Sequence, residues 1–456
     1  MKVAKFGGSS VATAEQIKKV CDIVLSDPQR KFVVVSAPGK RYKEDIKVTD
    51  LLIDCAQKYL AYGSAEKELG LIIERYSEIT KGLGLSEEIV NTIEADLRQR
   101  LAMDTSDHDS FLDTLKAAGE DNCAKLIAHY LNSKGVEAHY VDPKEAGLLL
   151  SCEYGNAQVL PESYKNLEKL RERSGIIIFP GFFGCTPEGT IVTFPRGGSD
   201  ITGSILAAAV KADVYENFTD VDSVFVANPN IIPNPKPISL LTYKEMRELS
   251  YAGFSVLQSE ALAPVYHAGI PVHIMNTNNP EAPGTMIVPD KENVHLSRKN
   301  GKTVSGIACD NGFCSIYVSK YLMNREIGFG RKLLHILEDE GLSYEHIPSG
   351  IDNVSVILKE NQLDAQKEAR VISRIKNELC VDDIAIERNL ALIIIVGEGM
   401  RNTIGMAAKA TGAIARAGVN LEMINQGSSE ISMMFGVKDV DAEKAVKALY
   451  KEFFEE

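Results

Sequence analysis

The sequence predicts an α/β fold: a mainly parallel sheet covered by helices, followed by two small αβ modules in tandem. Three observations predict it. Short β-rich runs alternate with helical patterns through roughly the first 290 residues. The runs "FVVV" and "IIIF" are unbroken by polar residues, as suits strands buried on both faces of a parallel sheet. Near the C-terminal third the chain begins to repeat itself.

The first strand is "KVAKF", which runs into "KFGGSS" (5–10) and a helical pattern, "ATAEQIKKVCDIVL" (12–25). "KFVVVSA" (31–37) is the next strand, and a mostly helical stretch follows over about 50 to 133, punctuated at "GLGLSEE" (82–88). Further strands are expected at "GIIIFPGFFG" (175–184), "GTIVTF" (189–194), "VYENF" (214–218) and "PVHIMN" (271–276). Between 281 and 303 periodicity gives way to Pro, Gly and charge, which marks a boundary. The expected organisation is a first domain over 1–285, a linker over 286–304, and modules over 305–380 and 381–456.

The repeat has an offset of 77 residues: 314–358 lies on 391–435 without a gap. Met323 falls on Met400, Gly328 on Gly405, Gly341 on Gly418, Glu345 on Glu422 and Gly350 on Gly427. Each copy reads as strand, turn, helix, strand, turn, strand, with a glycine helix stop at Gly341 and at Gly418.

A net charge of −13 argues against nucleic acid or an anionic membrane surface as main partner. The longest apolar run, "LALIIIV" (390–396), is far short of the ~20 residues that cross a bilayer. No signal-peptide pattern opens the chain, so a cytoplasmic location is expected. The eight cysteines show no C-x-x-C pair and no histidine cluster, which predicts free thiols and no metal held by protein side chains.

The chemistry concentrates in two diglycine loops. After a strand, Gly7-Gly8 and two serines let backbone N–H groups approach an anion, with Lys5 at the strand end. A tight strand–helix turn is the competing reading. "TFPRGGSDITGSILAAAVKA" (193–212) repeats the device with Arg196, Gly197-Gly198, Ser199 and Asp200 before a helix. Asp200 alone would serve as a helix N-cap. Two such loops, each with its own cation, at strand ends of one sheet point to a polyphosphate site.

In order along the chain, "KFGGSS", "PGFFG" (180–184), "RGGSD" (196–200), "FTDVDSVFVANP" (218–229) and "LSYAGFSVL" (249–257) resemble the landmarks of the aspartokinases. The tandem repeat resembles that family's paired ACT domains. The resemblance implies an amino-acid-kinase fold with three αβα layers, then two ferredoxin-like ACT domains. It implies ATP with Mg²⁺ carried mainly by the nucleotide, and phosphorylation of the side-chain carboxylate of L-aspartate on the way to lysine, threonine and methionine. An aspartate carboxylate is already anionic, so such a site needs positioning and positive potential in place of a general base.

On that resemblance Lys5, Arg196 and Asp200 are the catalytic group, with Asp200 orienting Lys5. Arg196 can grip a carboxylate in bidentate fashion, and Glu120 in "AAGEDNCAK" (117–125) can hold the α-ammonium, against the plainer reading of a solvated helix charge. Ser36, Thr49, Gly197, Gly198 and Ser199 complete the substrate pocket, with a helix N-cap as the competing role of Thr49. The nucleotide falls to Lys5, Phe6, Gly7, Gly8 and Ser9, to Thr219, Asp220, Phe225 and Asn230, and to Ser255 and Val256. At Ser255 and Asn230 the chain departs from the family, which carries phosphate-side cations there. The loop "SAPGKRYKEDIKVTD" (36–50) is long for the family, and Lys40, Arg41 or Lys43 is expected to replace a lost charge.

Met323, Ile327, Gly328, Phe329, Ser343, Glu345 and Ile347 match the family's effector-binding turns. Lysine, threonine or both are the effectors implied, and a homodimer or dimer of dimers through the ACT domains is the assembly. Two other readings remain: the same kinase fold acting on another acceptor, and a catalytically silent amino-acid sensor.

Overall fold

The structure, a computed structural model, describes residues 1–289 and 303–455 apart from 255, 258, 428 and 430. The described residues form two compact units. The first holds Met1–Val224, Pro237–Arg247 and the described part of 255–297; the second holds Phe225–Lys236, Glu248–Phe254 and the described residues from 303 on.

The first unit is built on an eight-stranded sheet. Its strands in chain order are β1 (Lys2–Phe6), β2 (Arg30–Val35), β3 (Ala138–Tyr140), β4 (Ile176–Pro180), β7 (Val214–Thr219), β8 (Leu240–Thr242), β9 (Val272–Asn276) and β10 (Thr285–Val288). Two more, β5 (Phe183–Cys185) and β6 (Ile191–Thr193), form a separate antiparallel ribbon. The sheet order is β3-β4-β2-β1-β7-β9-β10-β8, parallel except where β10 meets β9. The expected continuous strand over 175–184 breaks at Gly181-Phe182. There Phe182 takes a left-handed conformation (φ 74°) and the chain leaves the sheet for the ribbon. β10 straddles the boundary expected between the first domain and the linker; its four residues are too few to show a strand period against the surrounding Pro and Gly.

Helices cover both faces. On one face Ala14–Ser26, Val48–Tyr62 and His108–Ser133 pack with Ala4, Phe6, Val33 and Val35 into one core. Gly198–Ala209 lies on the other, against β1, β2 and β7. Side chains of one strand alternate between the two layers. Thus Phe6 stacks on Phe218 with ring centroids 4.7 Å apart on the first face, while Lys5 and Asn217, in register on β1 and β7, share the second. On the Phe6 face the buried Arg30 and the partly buried Lys2 meet one carboxylate, Glu216, at 2.6 and 3.0 Å.

The second unit carries a five-stranded antiparallel sheet, β12-β11-β13-β15-β14. These strands are β11 (Gly306–Ser319), β12 (Asn353–Lys359), β13 (Asp383–Val396), β14 (Met423–Asn425) and β15 (Ser432–Lys438). β11 and β13 pair along their whole length: Gly306–Asp310 lies against Leu392–Val396, and Ser315–Ser319 against Asp383–Glu387. The two copies therefore trade strands. Residues 383–387 complete the sheet of the first copy, and 306–310 that of the second. The helices Phe329–Asp339 and Met406–Arg416 start at left-handed Gly328 and Gly405, and left-handed Gly341 and Gly418 follow them. Among the described residues no helix is long and apolar enough to cross a membrane.

Replacing Glu216 by Ala strands the Arg30 guanidinium without a counter-charge. Urea denaturation of Glu216→Ala is expected to show a loss of about 3–5 kcal/mol, the usual result of breaking one side of a buried ion pair.

Candidate active site

β1 lies at the centre of the sheet, with β2 on one side and β7 on the other, so the carboxyl ends of these strands form a topological switch point. Lys5 is the penultimate residue of β1 and is buried. Its ammonium meets Asp200 Oδ1 at 2.6 Å. Asp200 lies in the first turn of the helix Gly198–Ala209, whose N-cap is the left-handed Gly197 (φ 84°). Asp200 is therefore not the cap; its carboxylate is turned to Lys5 and to Asn217, whose amide donates to the same Oδ1 at 2.7 Å.

The first diglycine is a close backbone approach. Gly39 N–H donates to Gly8 O at 2.8 Å, and Ser36 N–H donates to Phe6 O at 3.1 Å, so the ends of β1 and β2 are laced together. A Cβ on Gly39 would lie 2.6 Å from Gly8 C, and one on Gly7 would lie 3.6 Å from the Lys5 ammonium. Glycine places no side chain against that face of the ammonium. At the second diglycine, Cβ on Gly198 would strike Phe182 and Phe194, and Cβ on Gly181 would lie 2.6 Å from Ser199. Ser199 is buried there, while Arg196 is exposed and makes no ion pair among the described residues.

Glu120 comes from the helix His108–Ser133 and is buried, 5% exposed. Burial pushes its carboxyl up to about 8, against the pull of the Ala37 N–H and the Lys5 charge. One of its oxygens, Oε2, has no partner. A buried acid with an open oxygen has room to accept a hydrogen bond from an incoming donor.

The other expected residues separate into groups. Ser36 is half-buried at the end of β2, and Thr49 is the second residue of the helix Val48–Tyr62, whose cap is Lys47. Ser9 is exposed at the start of the first loop. Phe6 joins only through its backbone, since its ring stacks in the core. Thr219 ends β7, with Oγ1 3.2 Å from the exposed Asp220, and Val256 is half-buried in the same unit. Phe225, half-buried, and Asn230, exposed, belong to the second unit. Ser255 lies outside the described residues.

The long loop is anchored by its own acid. Buried Arg75 donates to Asp45 at 2.7 Å and to Gly39 O at 2.9 Å, and Arg41 donates to Asp45 and to Glu78. Hydrogen bonding from Arg41 holds the Asp45 carboxyl far below the usual range. Arg41 is thus committed to carboxylates and is not a spare cation; Lys40 and Lys43 are exposed.

Asn217, Tyr215, Arg75 and Asp45 were not singled out by the sequence reading. The one signal was a pair of adjacent polar residues, Glu216-Asn217, inside an otherwise apolar strand. Among the described residues no cluster of three or more His, Cys, Asp or Glu side chains is arranged to hold a metal ion.

In the second unit Met323 and Phe329 are buried, Ile327 is fully exposed and Gly328 caps the helix behind it. Ser343 exchanges hydrogen bonds with Gln362, and Ile347 packs on the core of the first module. Glu345 faces a small cavity of about 40 Å³ with Lys359, Asp310 and Tyr251. Burial raises its carboxyl, opposed by Lys359.

Comparison with known proteins shows the family and the fold. Residues 1–276 match the amino acid kinase family, and residues 393–453 match an ACT domain. Aspartokinase 3 of Bacillus subtilis is 60% identical over 454 residues, covering 100% of this chain and 99% of that protein. The crystal structure of Clostridium acetobutylicum aspartate kinase superposes with TM-score 0.86 at 40% identity, over 99% of this chain and 100% of that one. Aspartokinase III of E. coli, solved with aspartate and ADP, superposes with TM-score 0.78 at 25% identity over the whole of both chains. The same enzyme was also solved with lysine and aspartate, in a T-state.

Gly39→Ala should destabilise the first unit by about 1–3 kcal/mol, because the new methyl meets backbone that cannot rotate away. Gly70→Ala, which meets nothing within 4 Å, is the control and should be neutral or stabilising. Thermal denaturation of the two variants separates these outcomes.

Proposed function

The chain belongs to the aspartokinases and is an aspartate kinase; from that premise we propose how its residues carry the reaction and what regulates it. ATP, as its magnesium complex, and L-aspartate meet at the switch point around Lys5. The product is 4-phospho-L-aspartate, the first intermediate towards lysine, threonine and methionine. The observation that carries this reading is the buried Lys5–Asp200 pair at 2.6 Å beside the unpartnered Glu120 oxygen. It favours a working enzyme over a silent sensor, since it joins a phosphate-side cation to a seat for an amino acid.

Aspartate binds with its α-ammonium on Glu120 and its α-carboxylate on Arg196, with Ser36, Thr49, Gly197, Gly198 and Ser199 around it. Its side-chain carboxylate then faces Lys5, whose ammonium offsets the repulsion between two anions as they approach. The bond formed joins a carboxylate oxygen to the γ-phosphorus, and the bond broken releases ADP. No proton leaves the nucleophile, so no general base is required. Backbone N–H groups of Gly8 and Ser9 cradle the phosphates, whereas the expected Gly7 N–H is taken by Phe218 O at 3.3 Å; the nucleoside rests by Thr219, Asp220 and Val256, with Phe6 contributing backbone alone. Phe225 and Asn230 belong to the same nucleotide loop in sequence.

Lysine is the first candidate effector, at Met323, Ile327, Gly328, Phe329, Ser343, Glu345 and Ile347, with threonine as alternative or partner. The relative solved with lysine supports this. Ile327 and its repeat equivalent Ile404 are almost fully exposed, which supports assembly of the modules into a homodimer or dimer of dimers. Effector binding then acts as a coupling free energy on the substrate site. If so, Glu345→Ala should abolish inhibition by lysine while leaving uninhibited turnover intact; unchanged inhibition would place the effector elsewhere.

Trapping the acyl phosphate with hydroxylamine, with ATP, Mg²⁺ and L-aspartate supplied, tests the activity directly. The same assay tests Glu120. Only ionised Glu120 seats an ammonium, and free Glu120 is mostly protonated below about 8. The KM for aspartate should therefore rise roughly fivefold from pH 8 to pH 7, as expected for binding linked to one deprotonation. Glu120→Gln should raise KM and flatten this dependence; a KM insensitive to pH in the parent enzyme would remove Glu120 from the site.

A further inference from the structure

We infer that Asn217 is a positioning residue for phosphoryl transfer, holding the Asp200 carboxylate in the rotamer that sets Lys5; this rests on the reading of Lys5 and Asp200 given above. Neither the chain's composition nor its diglycine motifs single it out. Its amide nitrogen lies 2.7 Å from Asp200 Oδ1, the atom that also receives the Lys5 ammonium at 2.6 Å. The register of the parallel pair makes this unavoidable: Lys5 on β1 stands opposite Asn217 on β7, and both side chains leave the same face of the sheet.

Asn217 is not alone in gripping that residue. Tyr215, two positions earlier and so on the same face, donates its hydroxyl to the Asp200 backbone carbonyl at 3.1 Å. Gly203, one turn along the helix, has no side chain because a Cβ there would lie 2.5 Å from that hydroxyl. β7 thus fixes Asp200 twice, through its main chain and through its side chain. The two contacts do different work. Tyr215 seats the helix, whereas Asn217 acts on the carboxylate alone.

The chemistry explains why a neutral donor suits this place. The Lys5 ammonium meets Oδ1 as an ion pair at 2.6 Å. Were Lys5 the sole partner of Asp200, the carboxylate would be free to swing and take the ammonium with it. A second cation there would hold Asp200 but draw its charge away from Lys5. The amide holds Oδ1 without adding charge, and Oδ2 makes no hydrogen bond among the described residues. Asn217 is 2% exposed, so water does not supply this contact in its absence.

The test uses the full-length enzyme and three variants. Asn217→Leu keeps the branched heavy-atom skeleton and removes the donor; kcat should fall at least tenfold while the KM values for ATP and aspartate stay within about twofold. Asn217→Asp puts a second carboxylate against Asp200. Its activity relative to the parent should be lowest at pH 8 and should recover as the pH is lowered towards 6, where the new carboxyl gains a proton and can donate. A parent-like kcat in Asn217→Leu would overturn the proposal. So would an Asn217→Asp profile parallel to the parent's, which is what a residue serving only stability would give, and this arm stands even if the leucine variant does not fold. Asp200→Asn separates the two levels of the argument: full activity there would overturn the reading of the site itself, whereas loss there with parent-like Asn217 variants would overturn only the role of Asn217.

Discussion

A single ammonium, buried at the end of the central strand and held 2.6 Å from one carboxylate, constrains everything around it. A lysine cation is costly to remove from water, and it is tolerated at this depth because Asp200 is placed to meet it. That placement needs a helix whose first turn lies over β1, which in turn needs Gly197 in a left-handed cap and Gly198 tight against Phe182 and Phe194. Gly7 in turn places no side chain against the Lys5 ammonium. The glycines of both loops are thus requirements of one charge arrangement.

The sheet separates that arrangement from the load-bearing interior by parity. Even-numbered residues of β1 and β7 face the large helical layer, where Phe6 stacks on Phe218 and Glu216 gathers Arg30 and Lys2. Odd-numbered residues face the helix Gly198–Ala209 and carry Lys5, Tyr215 and Asn217. Glu120 is the exception. It reaches the strand ends from the opposite layer, through contact with Ala37, and its carboxyl is left with an unfilled hydrogen-bonding site. An arrangement that is unfavourable while empty and satisfied by an ammonium contributes selectivity as well as affinity.

Sequence alone revealed the elements with strong signals. Unbroken apolar runs marked β2 and β4, the diglycines marked the loops, and the offset of 77 marked the two modules. Short strands such as β8 and β10 were not legible, because three or four residues carry no usable period. The trading of 306–310 and 383–387 between modules was equally hidden, since periodicity gives elements and not their pairing. At the site, Lys5 and Asp200 were legible from motif and resemblance, but Asn217 was not. Its meaning depends on the register between β1 and β7, a tertiary fact. Arg41 shows the converse: charge in a loop suggested a phosphate ligand, while packing gives it to Asp45 and Glu78.

The most direct measurement is a crystal structure of the chain with L-aspartate and a non-hydrolysable ATP analogue. The predicted result has the γ-phosphate and the aspartate side chain on either side of the Lys5 ammonium, with the α-ammonium of aspartate on the open Glu120 oxygen. Aspartate seated away from Glu120, or a γ-phosphate out of reach of Lys5, would contradict the account.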